Sequence, residues 1–291
     1  MILAFDIGGT AIKYGLIHTN GKLTKRFEVP TPNEEGGLQI IKQVIQIIKD
    51  VKKDVDIKGI AISSAGVIDP YQGVVLATTK TMKDYVGLRI KDMIEIETHL
   101  FTTVENDVNC AALAETVYGE DRPQDFIAMT IGTGIGGAIV HDGKIVHGSS
   151  YSAGEWGRLL IDGVPYETEA STAAIVKLAQ SKGLDVTSGK SLFKRYDEDH
   201  DVAVEVVNIF YRKLAAGIIN LVYALNPSQI IIGGGISDRG ERFIDELKQA
   251  LSEKLEPYFM QSFELRLATL KNDSGMLGAY VHHLQQLQTL K

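Results

Sequence analysis

Met129-Thr130-Ile131-Gly132-Thr133-Gly134-Ile135-Gly136-Gly137-Ala138-Ile139 can be read in two ways, and the choice between them decides the fold. Glycines 132, 134 and 137 satisfy the spacing GxGxxG, the fingerprint of a dinucleotide-binding strand, turn and helix. That fingerprint needs a helix after its last glycine. Here Ala138 to His141 is a second extended run, Asp142-Gly143 is a turn, and Lys144 to His147 is a third extended run. The segment is a hairpin, so the dinucleotide reading fails on context. A counterpart lies near the start of the chain: Phe5-Asp6-Ile7-Gly8-Gly9-Thr10, then Gly15-Leu16-Ile17, then Asn20-Gly21-Lys22-Leu23. Each unit is strand, glycine-rich turn, strand, Asn/Asp-Gly turn, strand. Such turns expose backbone amides without side-chain bulk, which suits a phosphate group. A duplicated unit predicts two similar lobes closing on one nucleotide. The absence of GxxxxGK[ST] from the sequence excludes P-loop chemistry.

Between the two units lies Val104-Glu105-Asn106-Asp107-Val108-Asn109. Leu100 to Val104 reads as a buried strand, and Val108 onward is helix-compatible. Asn106 and Asp107 therefore sit where a helix leaves its first amides unsatisfied. One such residue is ordinary capping. Three consecutive polar groups exceed what a cap needs, which makes Asp107 a candidate catalytic carboxylate. A third glycine turn, Gly233-Gly234-Gly235, closes the strand Gln229–Ile232, at the strand end where α/β sheets take ligands; a plain strand-helix turn is the alternative.

The remaining pattern is of alternating strands and helices. Helices are expected at 35–52, 88–96, after Asp107 to about Tyr118, from about 167 to 180, at 199–225 and 241–255, and from Asp273-Ser274 to the end. Strands are expected at 59–63, 74–77 and 263–267, a small-residue loop at Ser63–Pro70, and a rim loop from Lys80 to Val86. Arg122-Pro123 punctuates the chain. The expected division is residues 1–118, joined by the last helix 274–291, and 119–273.

The chain has 291 residues, 44% hydrophobic and 23% charged, an ordinary globular composition. A net charge of −7 argues against nucleic acid as the main partner. The opening Met-Ile-Leu-Ala-Phe-Asp lacks the basic region of a signal peptide. With no apolar run of transmembrane length, no membrane partner is expected and the cytoplasm is the default location. The single cysteine, Cys110, cannot form an internal disulfide or a multi-thiolate zinc site.

The order and spacing of several motifs resemble the ROK family of sugar kinases and sugar-responsive repressors. The motifs are DIGGT at 6–10 with Lys13, SSAGVID at 63–69, ENDVN at 105–109, IGTGIGGA at 131–138, AGEWGR at 153–158 and IIIGGGIS at 230–237. The resemblance runs nearly end to end. It implies an α/β, actin-like (ribonuclease-H-like) fold of two lobes, and an ATP- and Mg²⁺-dependent sugar kinase acting on the 6-hydroxyl of a hexose or N-acetylhexosamine. By motif, Asp107 matches the catalytic base and Asn106 a sugar ligand. Gly66 lies in the loop lining the sugar pocket, and Glu155 and Glu167 match acids that contact the ring. Gly8, Gly9, Thr10 and Lys13, with Gly132, Thr133, Gly134, Gly136 and Gly137, match the phosphate turns. Gly233, Gly234 and Gly235 match the adenosine side, and Asp6 matches a residue holding the Mg²⁺ water shell. Many members carry a zinc site built from a histidine and a cysteine-rich segment. Here Arg158 stands at the histidine position and Gly163-Val164-Pro165-Tyr166 replaces the cysteines, so no zinc is expected. The zinc-less relatives resemble N-acetylmannosamine kinases, β-glucoside kinases and plain hexokinases alike. A homodimer is expected by resemblance alone. A sugar-sensing regulator without its DNA-binding domain is the less favoured alternative, because the first strand begins at Ile2.

Overall fold

The computed structural model describes residues 1–78 and 82–289. In chain order the elements are β1 (Ile2–Ile7), β2 (Ala11–Ile17), β3 (Leu23–Pro30), α1 (Gly37–Val51), β4 (Gly59–Ser64), β5 (Val67–Asp69), β6 (Val74–Ala77), α2 (Ile90–Thr98), β7 (Thr102–Asn106) and α3 (Asp107–Tyr118). Next come β8 (Phe126–Ile131), β9 (Ile135–His141), β10 (Lys144–Ile145), β11 (Leu160–Ile161), β12 (Val164–Pro165), α4 (Glu167–Ala170), α5 (Thr172–Ser181), α6 (Gly189–Asp197) and α7 (Asp201–Leu225). The chain ends with β13 (Gln229–Gly233), α8 (Glu241–Ser252), α9 (Pro257–Met260), β14 (Glu264–Leu267) and α10 (Ser274–Thr289). It divides into two compact units: 1–122 with 143–153 and 272–291, and 123–142 with 154–271. The segment 143–153, placed by the sequence reading in the 119–273 lobe, belongs to the first unit.

The first unit is built on a sheet of order β3-β2-β1-β4-β7. β1, β4 and β7 run parallel, and β2 and β3 are antiparallel. Alternation along the parallel strands sorts the two faces. Leu3, Phe5, Ile7, Ile60, Ile62 and Val104 point to a core shared with Ile40, Ile41, Val44 and Ile48 of α1 and Ile90 and Ile94 of α2. The other face carries small or polar groups, Ala4, Asp6, Ala61, Ser63, Thr103 and Glu105, and α10 crosses it at close range with α3 beside it. Close approach needs small residues there. A methyl added to Gly278 of α10 would lie 1.6 Å from the Cys110 carbonyl oxygen, and one on Gly275 would lie 2.6 Å from Asp6 Cγ.

The second unit repeats the arrangement. Its strands are ordered β9-β8-β13-β14, antiparallel for the first pair and parallel thereafter, as in β2-β1-β4-β7. The largest core of the chain lies here, centred on α7 with Val206, Phe210, Leu214 and Ile218 turned inward. Leu225, the last residue of α7, is exposed. Asn226 ends α7 in the left-handed conformation, φ 43°, ahead of Pro227.

One expectation changes, and two features go beyond the sequence reading. The helix expected through Glu167 to Gln180 is two helices: Ser171 is extended (φ −85°, ψ 160°) and caps α5 by accepting the Ala174 amide at 3.1 Å. The segment 163–166 contributes the tip of the hairpin β11–β12 and then Tyr166, buried, whose hydroxyl donates to the Leu214 carbonyl at 2.6 Å. Helix α6 carries a Ser188–Ser191 capping box that the sequence reading passed over. Of the expected rim loop, Lys80 and Thr81 lie outside the described residues.

Candidate active site

At the carboxyl ends of the three parallel strands of the first unit, Asp6, Ser63 and Glu105 stand in register, and so do Ile7, Ser64 and Asn106 one step on. Side chains at such strand ends converge where an open α/β sheet takes its ligand. Ser63 Oγ donates to Asp6 Oδ1 at 2.8 Å, and Lys13 faces Asp6 from the neighbouring β2. Burial nonetheless pushes the Asp6 carboxyl upward, against the opposing pull of Ser63 and Lys13.

Asn106 and Asp107 divide the work at the turn into α3. Asn106 is the cap: its Oδ1 accepts the amides of Val108 and Asn109 at 2.9 and 3.0 Å. Its Nδ2 donates to the Gly66 carbonyl at 2.8 Å and to Asp107 Oδ1 at 2.9 Å. Gly66 is at φ +102°, and a side chain there would meet the Ala77 carbonyl at 2.6 Å, so only glycine brings this loop under Asn106. Asp107 Oδ1 also accepts the Val108 amide at 3.0 Å. On its own, a helix N-terminus would favour the anion. Desolvation and the neighbouring Asp6 charge outweigh these bonds and push the Asp107 carboxyl up to about 7.

Glu105 holds this turn from beneath. It is 0% exposed. Oε1 accepts the Asn106 amide at 2.7 Å and Asn109 Nδ2 at 2.9 Å. Oε2 lies 2.7 Å from His147 Nε2, and His282 Nδ1 stands 3.6 Å away. Burial alone would raise its pKa, but the His147 bond, the two histidines and Asn109 together hold the carboxyl below the usual range. It is therefore a buried anion whose hydrogen bonds fix the backbone that carries Asp107. The sequence marked Glu105 as polar beyond need without assigning it work, and nothing in the spacing of His147 pointed to it.

The first glycine turn is braced from outside. Thr31 Oγ1 donates to the Gly8 carbonyl at 2.7 Å, Asn33 Nδ2 to the Gly9 carbonyl at 3.0 Å, and the Thr31 amide to the Thr10 carbonyl at 3.0 Å. The Gly8 amide is spent on the Ala11 carbonyl at 3.0 Å. With these groups tied, Gly9 and Thr10 are the residues of the turn that can offer amides. Thr31 and Asn33 escaped the sequence reading because no motif marks a buttress.

In the second unit the two remaining glycine turns stand side by side. Gly233 is in register with Thr130 on adjacent parallel strands, and Gly234, at φ +84°, lies against Ile131, where an added methyl would meet the carbonyl at 2.6 Å. Gly132 and Gly235 differ: a methyl on either would meet nothing within 4 Å. Packing within the chain therefore leaves room for a side chain at both positions. The Gly132 amide donates to the Gly134 carbonyl at 3.0 Å, which removes it from the amides a phosphate could use. Gly137 makes room for the Trp156 indole, 1.8 Å from an added methyl, and Trp156 Nε1 donates to the Ala128 carbonyl at 3.0 Å. That packing fixes the turn of Glu155 to Arg158. Glu155 Oε2 accepts from Arg158 Nε at 3.0 Å, and both side chains reach solvent. Glu167 Oε2 is 2.6 Å from where a Gly134 methyl would be and 3.0 Å from that of Gly157. It is thus wedged between the glycine turn and the 155–158 turn, and is no solvated first-turn carboxylate.

Residues 2–286 match the family model described as ROK family. The chain belongs to the ROK family. It is 34% identical to a β-glucoside kinase of Listeria monocytogenes over 98% of both chains. Among solved structures it resembles a Listeria monocytogenes protein provisionally assigned as an N-acetylmannosamine kinase, with TM-score 0.88, 32% identity, and 98% and 99% of the two chains covered. It also resembles a ROK family glucokinase from Streptomyces griseus in complex with glucose and AMPPNP, with TM-score 0.79, 26% identity, and 96% and 97% covered. The ROK chain thus has the actin-like α/β fold of sugar kinases, in agreement with the duplicated units. Among the described residues no helix is long and apolar enough to cross a membrane.

Proposed function

We propose that this ROK protein transfers the γ-phosphoryl group of ATP to the 6-hydroxyl of a hexose or N-acetylhexosamine, with Asp107 as general base. The carbohydrate kinase class follows from the named kinases among its relatives. The observation that carries the finer reading is Asp107 itself, at the head of α3, fixed by Asn106 and Glu105, with a carboxyl poised at about 7. A base of that strength accepts a proton near neutral pH without holding it too tightly to be recycled.

In the step proposed, the sugar O6 attacks the γ-phosphorus and the bond from that phosphorus to the bridging oxygen breaks, releasing ADP. The hydroxyl proton passes to Asp107. Little else is needed beyond positioning and charge neutralisation. Asn106 and the Gly66 loop orient the sugar. Gly9 and Thr10, with Lys13 behind them, and separately the glycine turns of the second unit, supply amides and positive charge for phosphate oxygens. Two carboxylates whose mutual repulsion raises Asp107 fit a place for a divalent cation. Held there by Asp6 through water, Mg²⁺ would neutralise phosphate charge and relieve that repulsion. Glu155, Arg158 and Glu167 are assigned to the sugar ring, and Gly233 to Gly235 to the adenosine.

A second reading, a β-glucoside as acceptor, is favoured by the 34% identical relative. The test is ADP release with Mg-ATP across glucose, mannose, N-acetylmannosamine, N-acetylglucosamine and cellobiose. One strongly preferred acceptor is expected, with turnover reduced about 10²–10⁴-fold in Asp107→Asn. Near-normal turnover in that variant would overturn the assignment of the base.

A further inference from the structure

In the second unit the turn Gly233-Gly234-Gly235 leads into a five-residue 3₁₀ helix, Gly235–Arg239, with a glycine of positive φ on either side. Gly234 stands at φ +84° and Gly240 at φ +68°. Glycine permits many backbone angles, so this block has a swivel at each end. Ser237 closes the block on itself, its amide and its hydroxyl both donating to the Gly234 carbonyl, at 3.0 and 2.8 Å. Ile236 is buried in the core of the unit, whereas Gly235 faces open space.

The block ends in Arg239, whose side chain is only 7% exposed. Its guanidinium makes two forks. Nε and Nη2 donate to the Glu246 carboxylate of α8 at 2.9 and 2.7 Å. Nη1 and Nη2 donate to the Asp197 carboxylate, at the end of α6, at 3.3 and 3.0 Å. Arg239 Cζ also lies 4.4 Å from the centre of the Phe193 ring, a cation–π contact with the same helix. Burial would raise the Glu246 carboxyl, but Arg239, the Tyr211 hydroxyl and Arg242 together hold it below the usual range. Charge balance alone does not account for Arg239. Arg242 pairs with the same two carboxylates, Glu246 at 3.0 Å and Asp197 at 2.9 Å, from α8 itself and at 55% exposure. A buried ion pair is often matched in stability by apolar packing of the same volume. What a double fork adds is a fixed orientation, and here it orients the block that follows the glycine turn.

We propose that Arg239 is a positioning residue for the nucleotide: it clips the block 235–239 to α6 and α8, so that the turn at 233–235 keeps the shape that receives the adenosine. This rests on the kinase reading above, which assigns the adenosine to that turn. Arg239 acts through the backbone and not by contact with the ligand. With the clip in place the turn is already ordered when ATP arrives. Without it, binding must first order a block that is free to turn about two glycines, and affinity falls. The transfer step at Asp107 keeps its rate once ATP is bound. The signature of the clip is therefore a loss in nucleotide affinity with turnover preserved.

The experiment titrates Mg-ADP and Mg-AMPPNP by calorimetry into the wild type, Arg239→Met, Arg239→Lys and Arg242→Met, well below the Tm recorded for each. Kd should rise about three- to tenfold in Arg239→Met, and less in Arg239→Lys, which keeps the charge and loses the forks. Arg242→Met breaks pairs to the same carboxylates without releasing the block, and should bind as the wild type does. With an acceptor that turns over, KM for ATP should rise by the same factor in Arg239→Met while kcat and the acceptor KM hold. An unchanged Kd in Arg239→Met, whatever its Tm, makes Arg239 a fold-stabilising pair only and overturns the proposal, with the kinase reading left standing. Equal weakening by Arg242→Met overturns it too. If Arg239→Met does not fold, Arg239→Lys decides: a raised Kd supports the clip and an unchanged one overturns it. A wild type that binds neither nucleotide overturns the nucleotide reading itself, and the clip with it.

Discussion

Asp107→Asn should cut turnover about 10²–10⁴-fold and at the same time stabilise the protein, by an amount that depends on pH. In the folded chain the Asp107 carboxyl is raised from 3.8 to about 7, first by desolvation and then by Asp6. The unfolded chain keeps the ordinary value. Between about pH 4 and pH 7 the unfolded state has lost this proton while the native state still holds it, so stability falls as pH rises through that window. Above pH 7 the penalty is fully developed. A difference of that size corresponds to about 4 kcal/mol, which partial solvent access at the carboxyl reduces to about 2–3 kcal/mol. Asparagine keeps the oxygen that accepts from the Val108 amide and from Asn106 Nδ2, so the helix cap survives the exchange.

The assay is urea unfolding of wild type and variant at pH 4.5, 6 and 8, taken as differences so that other titrations cancel. The curves should differ by about 1 kcal/mol or less at pH 4.5 and separate to about 2–3 kcal/mol at pH 8, with the variant the more stable. A variant less stable than the wild type at pH 8 would mean that Asp107 is ionised and favourably held at neutral pH. The burial and Asp6 arguments would then both be wrong. The same carboxyl predicts an acid limb near pH 7 in kcat/KM of the wild type, since only the ionised form accepts the hydroxyl proton.

Four further outcomes rest on the packing. His147→Ala leaves the buried Glu105 anion without its hydrogen-bond partner at Oε2 and should destabilise by about 3–5 kcal/mol in urea titration, whereas His147→Gln restores a donor and most of the loss. Glu105 itself is held below its ordinary pKa, so its contribution is present above about pH 4.5 and is lost as pH falls through the lower folded value. Gly132→Ala, facing open space, should leave Tm unchanged and raise KM for ATP, while Gly234→Ala, at φ +84° against the Ile131 carbonyl, should lower Tm by several degrees. Gly278→Ala places a methyl 1.6 Å from the Cys110 carbonyl oxygen and should force α10 off α3, destabilising by about 3 kcal/mol or more by the same titration.

The repeated strand-turn-strand pattern was legible because it is local: glycines, Asn/Asp-Gly turns and alternating apolar residues are set within a few positions of each other. It foretold the hairpin that opens each unit, and the hairpin at Gly137 excluded the dinucleotide helix correctly. The strand-to-helix turn at 105–107 was legible for the same reason, since capping chemistry is read over three residues. What sequence could not show is which groups meet across the fold. Ser63 reaches Asp6 from 57 positions away, His147 reaches Glu105 from 42, and Thr31 and Asn33 tie the turn at Gly8 and Gly9 from over twenty. The raised carboxyl of Asp107 has that origin. From sequence, its environment is a helix N-terminus, which favours the anion. In the fold, desolvation raises the Asp107 carboxyl first, β1 adds the charge of Asp6 in the same strand-end row, and together they reverse the sign. A carboxylate held at neutral pH by another carboxylate is also one that a bound cation would release, so loading with divalent metal should shift the acid limb of the pH profile downward. If the limb stays in place as metal is titrated, Asp6 is too well screened to govern Asp107, and desolvation alone sets the base.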